Sequence, residues 1–327
     1  MTPNRLWYQS GQFERCIDDR ECDFGKRIFS ILYQQDAPFT LNKLTAMKKL
    51  PGVPRIWDER VKVMLAVTYL VNNQIKDVAD TFNTIDGKVL TTAKDTWAPF
   101  YNSTYRFLYL LLTSDELLKV RAPKTAAACV IGDSHTIGLS GAVGFELQRL
   151  YVPAVVVRGL SNPSNNNFKQ AITNAVTMAY AADRVYFSIG EIDSRGFVAK
   201  LAQDSGYWET MEPRWRAAID STYAFLSSLQ NPMQEFGVIV PPPPSENIVT
   251  SHADKVADSA AFISECVSVT EAFRDLCREA AQRHKLSVIE YSASILTDDG
   301  LNSKDALLDH AHFKPSVYAK LAQAMVK

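Results

Sequence analysis

The chain has 327 residues, 46% of them hydrophobic and 22% charged, with a formal net charge of −1. That balance is ordinary for a globular protein and long enough for one large domain or two smaller ones. A near-neutral chain without blocks of like charge excludes a global field that would gather nucleic acid or an anionic membrane surface.

The N-terminal stretch, MTPNRLWYQSGQFERC, has no apolar core segment followed by small residues, so no cleaved export signal is expected. Apolar residues recur at helical spacing over Leu41–Leu50, Arg60–Val71, Ile75–Phe82 and Tyr101–Leu112, with LPGVP (50–54) as a break. Residues 1–122 are therefore expected to form an all-helical domain. Two stretches, YQSGQFERCIDD and YLVNNQIKDVADTF, share a polar turn followed by an apolar rhythm, and resemble helical-hairpin repeats of the tetratricopeptide kind. Phe107–Leu112 is the longest apolar run and is far too short to span a bilayer. Five cysteines without tight pairing suggest reduced thiols, hence a cytoplasmic protein. Arg121-Ala122-Pro123-Lys124 reads as a linker.

From Thr125 to the end the texture changes. Apolar, β-rich runs at Ala128–Ile131, Ala154–Val157, Val185–Ile189, Phe236–Val240 and Leu286–Tyr291 are expected strands. Helical stripes lie between them: Phe168, Ile172, Val176 and Ala179, then Phe262, Cys266, Val269, Phe273, Cys277 and Ala280. Continuous apolar strands imply a sheet covered on both faces. Strand–helix alternation predicts a three-layer α/β/α domain over 125–327 with five parallel strands in the flavodoxin-like order 2-1-3-4-5. Ligands of such sheets bind at the carboxyl ends of the strands.

The first strand runs into VIGDSHTIGLSG (130–141), which places Ser134 at that edge where a helix begins. Asp133 and Ser134 are good helix N-caps. Ser134 is also a candidate nucleophile, which needs a base. LLDHAHFKPSVYAKLA supplies one: Asp309 lies three residues before His312, and Pro315 suits the first turn of a last helix. His135 is expected to pack near the site.

These blocks resemble the GDSL-like, or SGNH, hydrolases over roughly residues 126–327. The resemblance implies a Ser134–His312–Asp309 triad, with the backbone N–H of Gly159 in VVVRGLSN as an oxyanion donor. The proline-rich VIVPPPPSE loop is also similar. One block departs from the pattern. Where the family reads Gly-x-Asn-Asp, this chain has Gly190-Glu191-Ile192-Asp193, and an isoleucine cannot donate. Arg195 or Asn162 is then expected to replace the lost donor, or Arg195 to clamp an anionic substrate group. Glu191 and Asp193 are expected to brace the loop through backbone amides. Ser194–Trp215, with Phe197, Tyr207, Trp208 and Trp215, is expected to border the substrate as a binding loop or lid.

Two functional classes follow. One is a serine esterase or O-acyltransferase acting on an acyl ester of a small molecule, glycan or peptide, with no cofactor, no metal, and no nucleic-acid or membrane partner. The other is an inactive scaffold of the same fold, whose helical N-terminal region recruits a protein partner.

Overall fold

The computed structural model describes residues 8–18, 22–114, 128–141 and 147–326. The N-terminal part is helical throughout: α1 (Phe13–Asp18), α2 (Phe24–Leu32), α3 (Ala37–Lys48), α4 (Arg55–Val71), α5 (Ile75–Phe82), α6 (Gly87–Thr92) and α7 (Ala98–Leu112). Several of these begin where the sequence stops them from beginning earlier. Asp23, Asp36 and Asp86 each cap the first turn of the helix that follows through a side-chain oxygen. The lengths of the helices run from 6 to 17 residues, which is not the even hairpin spacing of a tetratricopeptide array. The expected linker at 121–124 lies outside the described residues.

The rest of the chain builds the five-stranded sheet. Its strands are β1 (Ala128–Gly132), β2 (Leu147–Tyr151), β3 (Arg184–Ser188), β4 (Glu235–Ile239) and β5 (Ser287–Ile289), all parallel in the order β2-β1-β3-β4-β5. The order is the expected one and the layering is that of a three-layer α/β fold. Alternate residues serve opposite faces. Cys129, Ile131, Val185, Phe187 and Val238 join one core with Ile172, Ile219 and Phe273, from α10 (Asn167–Met178), α12 (Tyr207–Ser228) and α14 (Ser259–Arg283). Ala128, Val130, Tyr186 and Ile239 join the other with Tyr318 and Leu321 of α15 (Pro315–Met325). Between these lie the shorter helices α8 (Ser134–Gly138), α9 (Val157–Ser161), α11 (Glu191–Leu201) and α13 (Glu246–Ala253).

The second strand corrects an expectation. Ala154–Val157 is not a strand; its last residue opens α9, and the strand is Leu147–Tyr151 instead. Gln148 and Arg149 disguise it, because an edge strand with a buried arginine does not read as an apolar run. The arginine is satisfied from the N-terminal half: its Nε donates to the Val71 carbonyl at 3.4 Å, and its Nη2 to the Asn73 side chain. The helical half thus covers the β2 edge. Its core residues, among them Tyr33, Val67 and Phe107, belong to the same continuous apolar cluster as the sheet.

Cys16 and Cys22 form a disulfide, against the expectation of five reduced thiols, while Cys129, Cys266 and Cys277 are free and buried. Their Cα atoms are 5.9 Å apart. The cysteine count therefore gives no argument for a reducing compartment. Among the described residues, no helix is long and apolar enough to cross a membrane.

Candidate active site

The carboxyl ends of β1 and β3 lie side by side, where the strand order reverses. Gly132 closes β1 opposite Ser188 of β3, and a Cβ there would collide with the Ser188 carbonyl oxygen. Asp133 follows. Its N–H donates to that same carbonyl at 3.1 Å, and its Oδ1 accepts the His135 amide at 3.0 Å. The capping expected of Asp133 is therefore present. Ser134 begins α8, where the first amides of a helix have no acceptor within it.

Ser134 Oγ lies 2.7 Å from His312 Nε2, and His312 Nδ1 lies 2.9 Å from Asp309 Oδ2. The sequence separation of 178 between serine and histidine is closed by the fold. Asp309 is held in turn by the chain around it: its Oδ1 accepts the amides of Ala311 at 2.7 Å and His312 at 2.8 Å. Burial would raise this carboxyl, but the hydrogen bond and charge of His312, with the two amides, outweigh burial and hold it below the usual carboxylate range. An ionised Asp309 keeps the Nδ1 proton on His312, which leaves Nε2 free to accept the Ser134 proton.

Phe107 of α7 packs against the imidazole, ring centroids 4.2 Å apart and planes tilted by 37°. Nothing in the sequence marked it, because α7 reads as a core helix like its neighbours. A cavity of about 140 Å³ opens in front of Ser134. Phe100, Thr104 and Phe107 from α7 form one wall, and Ile137, Tyr151 and Ala154 another. Ile192, Arg195 and His310 complete it.

His135 packs behind the nucleophile, buried, its Nδ1 2.9 Å from the Tyr318 hydroxyl and its ring centroid 5.3 Å from that of His312. Burial first, then the nearby His312, pushes its pKa well below the usual histidine value, so it stays neutral. It is a packing residue, as expected.

The expected oxyanion donors are redistributed. Gly159 lies inside α9, and its amide already donates to the Val156 carbonyl at 3.1 Å, so it does not face the nucleophile as a free donor. Asn162 is turned away: its Oδ1 accepts from Ser164 N at 3.0 Å and from Ser164 Oγ at 2.8 Å, and it does not line the cavity. Ala154 lies on the turn after β2 that enters the cavity. It has a left-handed φ of 57°, lines the cavity beside Ser134, and donates no backbone hydrogen bond among the described residues. A positive φ on a non-glycine residue is uncommon, and only the structure could reveal it. Tyr33 Oη donates to the Pro153 carbonyl at 2.9 Å, and Gln35 to that of Tyr151 at 2.9 Å, so the helical half holds this turn in place.

Ile192 does line the cavity where a donor is missing, and Arg195 reaches the same space. Arg195 Nε is 3.5 Å from Glu191 Oε1. Glu191 therefore braces by charge, not through backbone amides; its Oε2 lies 3.8 Å from His135 Nε2. Asp193 does brace the backbone, its Oδ2 accepting the Val157 amide at 2.8 Å. Residues 194–215 are not a lid. They belong to α11 and α12 and the turn joining them, and Phe197 and Trp215 are 1% and 3% exposed, packed edge-on against Phe273. Phe197 and Trp215 are core, and the half-buried Tyr207 and Trp208 pack against Phe197.

Burial raises the Asp193 carboxyl to about 6, only partly opposed by the Val157 amide. The folded protein thus keeps this proton where the unfolded chain, titrating near 4, has lost it. Stability contributed at Asp193 is greatest below about pH 4 and declines as pH rises through 6. Asp193→Asn, which removes the charge and keeps the Val157 bond, is expected to match the parent at pH 4 and exceed it by on the order of 2 kcal/mol at pH 7.5. Urea unfolding at the two pH values checks this; an equal gap at both would refute the titration.

Compared with known proteins, the chain matches no family model and no curated protein.

Proposed function

We propose that this protein is a serine esterase or O-acyltransferase of the SGNH-like type. The observation that carries the reading is the unbroken chain Ser134 Oγ–His312 Nε2 and His312 Nδ1–Asp309, set in a cavity at the carboxyl edge of the sheet. Neutral packing of the three residues would not need a histidine aligned with both partners at hydrogen-bond distance.

In the reaction, His312 takes the Ser134 proton as Oγ attacks the ester carbonyl. Oγ–C bonding places the electron pair of the carbonyl on its oxygen, and the tetrahedral species forms. The Ser134 and Ala154 amides and the Arg195 guanidinium are the donors for that oxyanion, with Arg195 standing in for the side chain that Ile192 lacks. Collapse breaks the bond to the alcohol, which leaves with the proton held by His312. Water or a second alcohol then attacks the acyl-Ser134, giving up its proton to His312 and regenerating the serine. Hydrolase and transferase differ only in that acceptor.

A fluorophosphonate probe tests the reading directly. Labelling is expected at one site, with the modified peptide containing Ser134. A folded protein that takes no label favours the scaffold reading, in which the missing asparagine marks lost activity.

A further inference from the structure

Arg195 also lines a second and much smaller cavity that the reaction as described does not use. Its volume is about 20 Å³, and Pro242–Pro244, Ser245, Asn302 and Glu191 line it with Arg195. Arg195 lines the catalytic cavity too, and Ala311 of the small cavity sits between His310 and His312. The two spaces share Arg195 as a lining residue.

The walls are polar and unfinished. Ser245 is 7% exposed and its Oγ has no hydrogen-bond partner, although it stands at the N-cap of α13, where a serine usually caps. Asn302 is 2% exposed; its Nδ2 donates to the Pro243 carbonyl, which fixes the side chain, while its Oδ1 has no partner. A buried polar atom left unpaired is destabilising. Here a donor–acceptor hydroxyl and a bare acceptor line one cavity beside a permanent donor.

We propose that this annex binds a hydroxyl group on the alcohol portion of the substrate, so that the acyl ester is that of a polyol. The inference rests on the esterase reading for its setting. Charge excludes the alternatives. A cationic group would meet Arg195, and an anionic one would meet Glu191, whose carboxylate lies 3.5 Å from that arginine and offsets it. A hydroxyl donates to Asn302 Oδ1, or to Glu191 Oε2, which also has no hydrogen-bond partner, and accepts from Ser245 or Arg195. Size agrees: a space of about 20 Å³ holds one water-sized group, which a hydroxyl matches and an amide exceeds.

Glyceryl monoacetate and propyl acetate differ only in the two hydroxyls, which makes them the test pair. The parent enzyme is expected to prefer the glyceryl ester in kcat/KM. Ser245→Ala, which breaks no internal hydrogen bond, is expected to lower that preference about tenfold, the scale of one hydrogen bond to a substrate, with unchanged thermal unfolding. Ser245→Thr, which keeps the hydroxyl, is expected to retain it. An unaltered preference in Ser245→Ala, or an equal loss with both esters, overturns the annex. Binding is read separately by saturation-transfer NMR with glyceryl monoacetate on the Ser134→Ala chain. Saturation of the hydroxyl-bearing carbons that disappears in Ser134→Ala/Ser245→Ala supports the annex, even if no ester is turned over and the esterase reading fails. No such saturation, or saturation indifferent to Ser245, removes the annex and leaves the triad untouched.

Discussion

Replacing Ser134 by alanine is expected to lower turnover of an activated aryl ester by about 10⁴-fold or more, because the three members of such a relay act as a unit. The substitution removes only the Oγ that lies 2.7 Å from His312 Nε2. Asp133 still caps the helix through the His135 amide, and α8 keeps its backbone. The thermal unfolding midpoint should therefore stay close to that of the parent, and the fluorophosphonate label should vanish. Retained turnover in a correctly folded Ser134→Ala chain would mean that another group carries the chemistry.

The second large effect is expected at Asp309. Its carboxylate holds the Nδ1 proton of His312 at 2.9 Å, and an asparagine there offers an amide N–H instead, which favours the tautomer that cannot accept from serine. Asp309→Asn is expected to reduce kcat by about 10⁴-fold, with KM nearly unchanged. The loss should ease as pH rises and hydroxide takes over the work of the base. A decrease confined to KM would show that Asp309 shapes the binding loop and not the imidazole. The loop bonds it also makes, to the Ala311 and His312 amides, are available to an asparagine carbonyl oxygen.

Much of this site was legible in the chain because it is local. Val130-Ile131 feeding Gly132-Asp133-Ser134 states a strand end and a capped helix start, and Asp309 with His312 states a carboxylate beneath an imidazole. Helices with one apolar face were found, Ile75–Phe82 to the residue and Leu41–Leu50, Arg60–Val71 and Tyr101–Leu112 with starts three to five residues late. What failed was long-range. β2 was hidden because Arg149 finds hydrogen-bond acceptors at Val71 and Asn73, more than 70 residues earlier. The aromatics of 194–215 looked exposed because their partner, Phe273, lies far along the chain. Ala154 was missed because its role depends on a left-handed backbone that no alanine advertises. Phe107 was missed because a residue that touches a catalytic ring and one that merely fills a core have the same periodicity.

That last contact decides what kind of object the protein is. Phe107 belongs to the helical half and His312 to the sheet half, yet their rings lie 4.2 Å apart. The turn bearing Ala154 is likewise tied down by Tyr33 and Gln35. The boundary in amino-acid texture is therefore not a seam at which the molecule divides. Residues 125–327 on their own would keep the serine, the histidine and the aspartate in sequence. They would lose the aromatic ring against His312 and the hydrogen bonds that hold the turn bearing Ala154. Chemistry of this kind is inherited by both halves together, and a change of partner for the helices would be a change of active site.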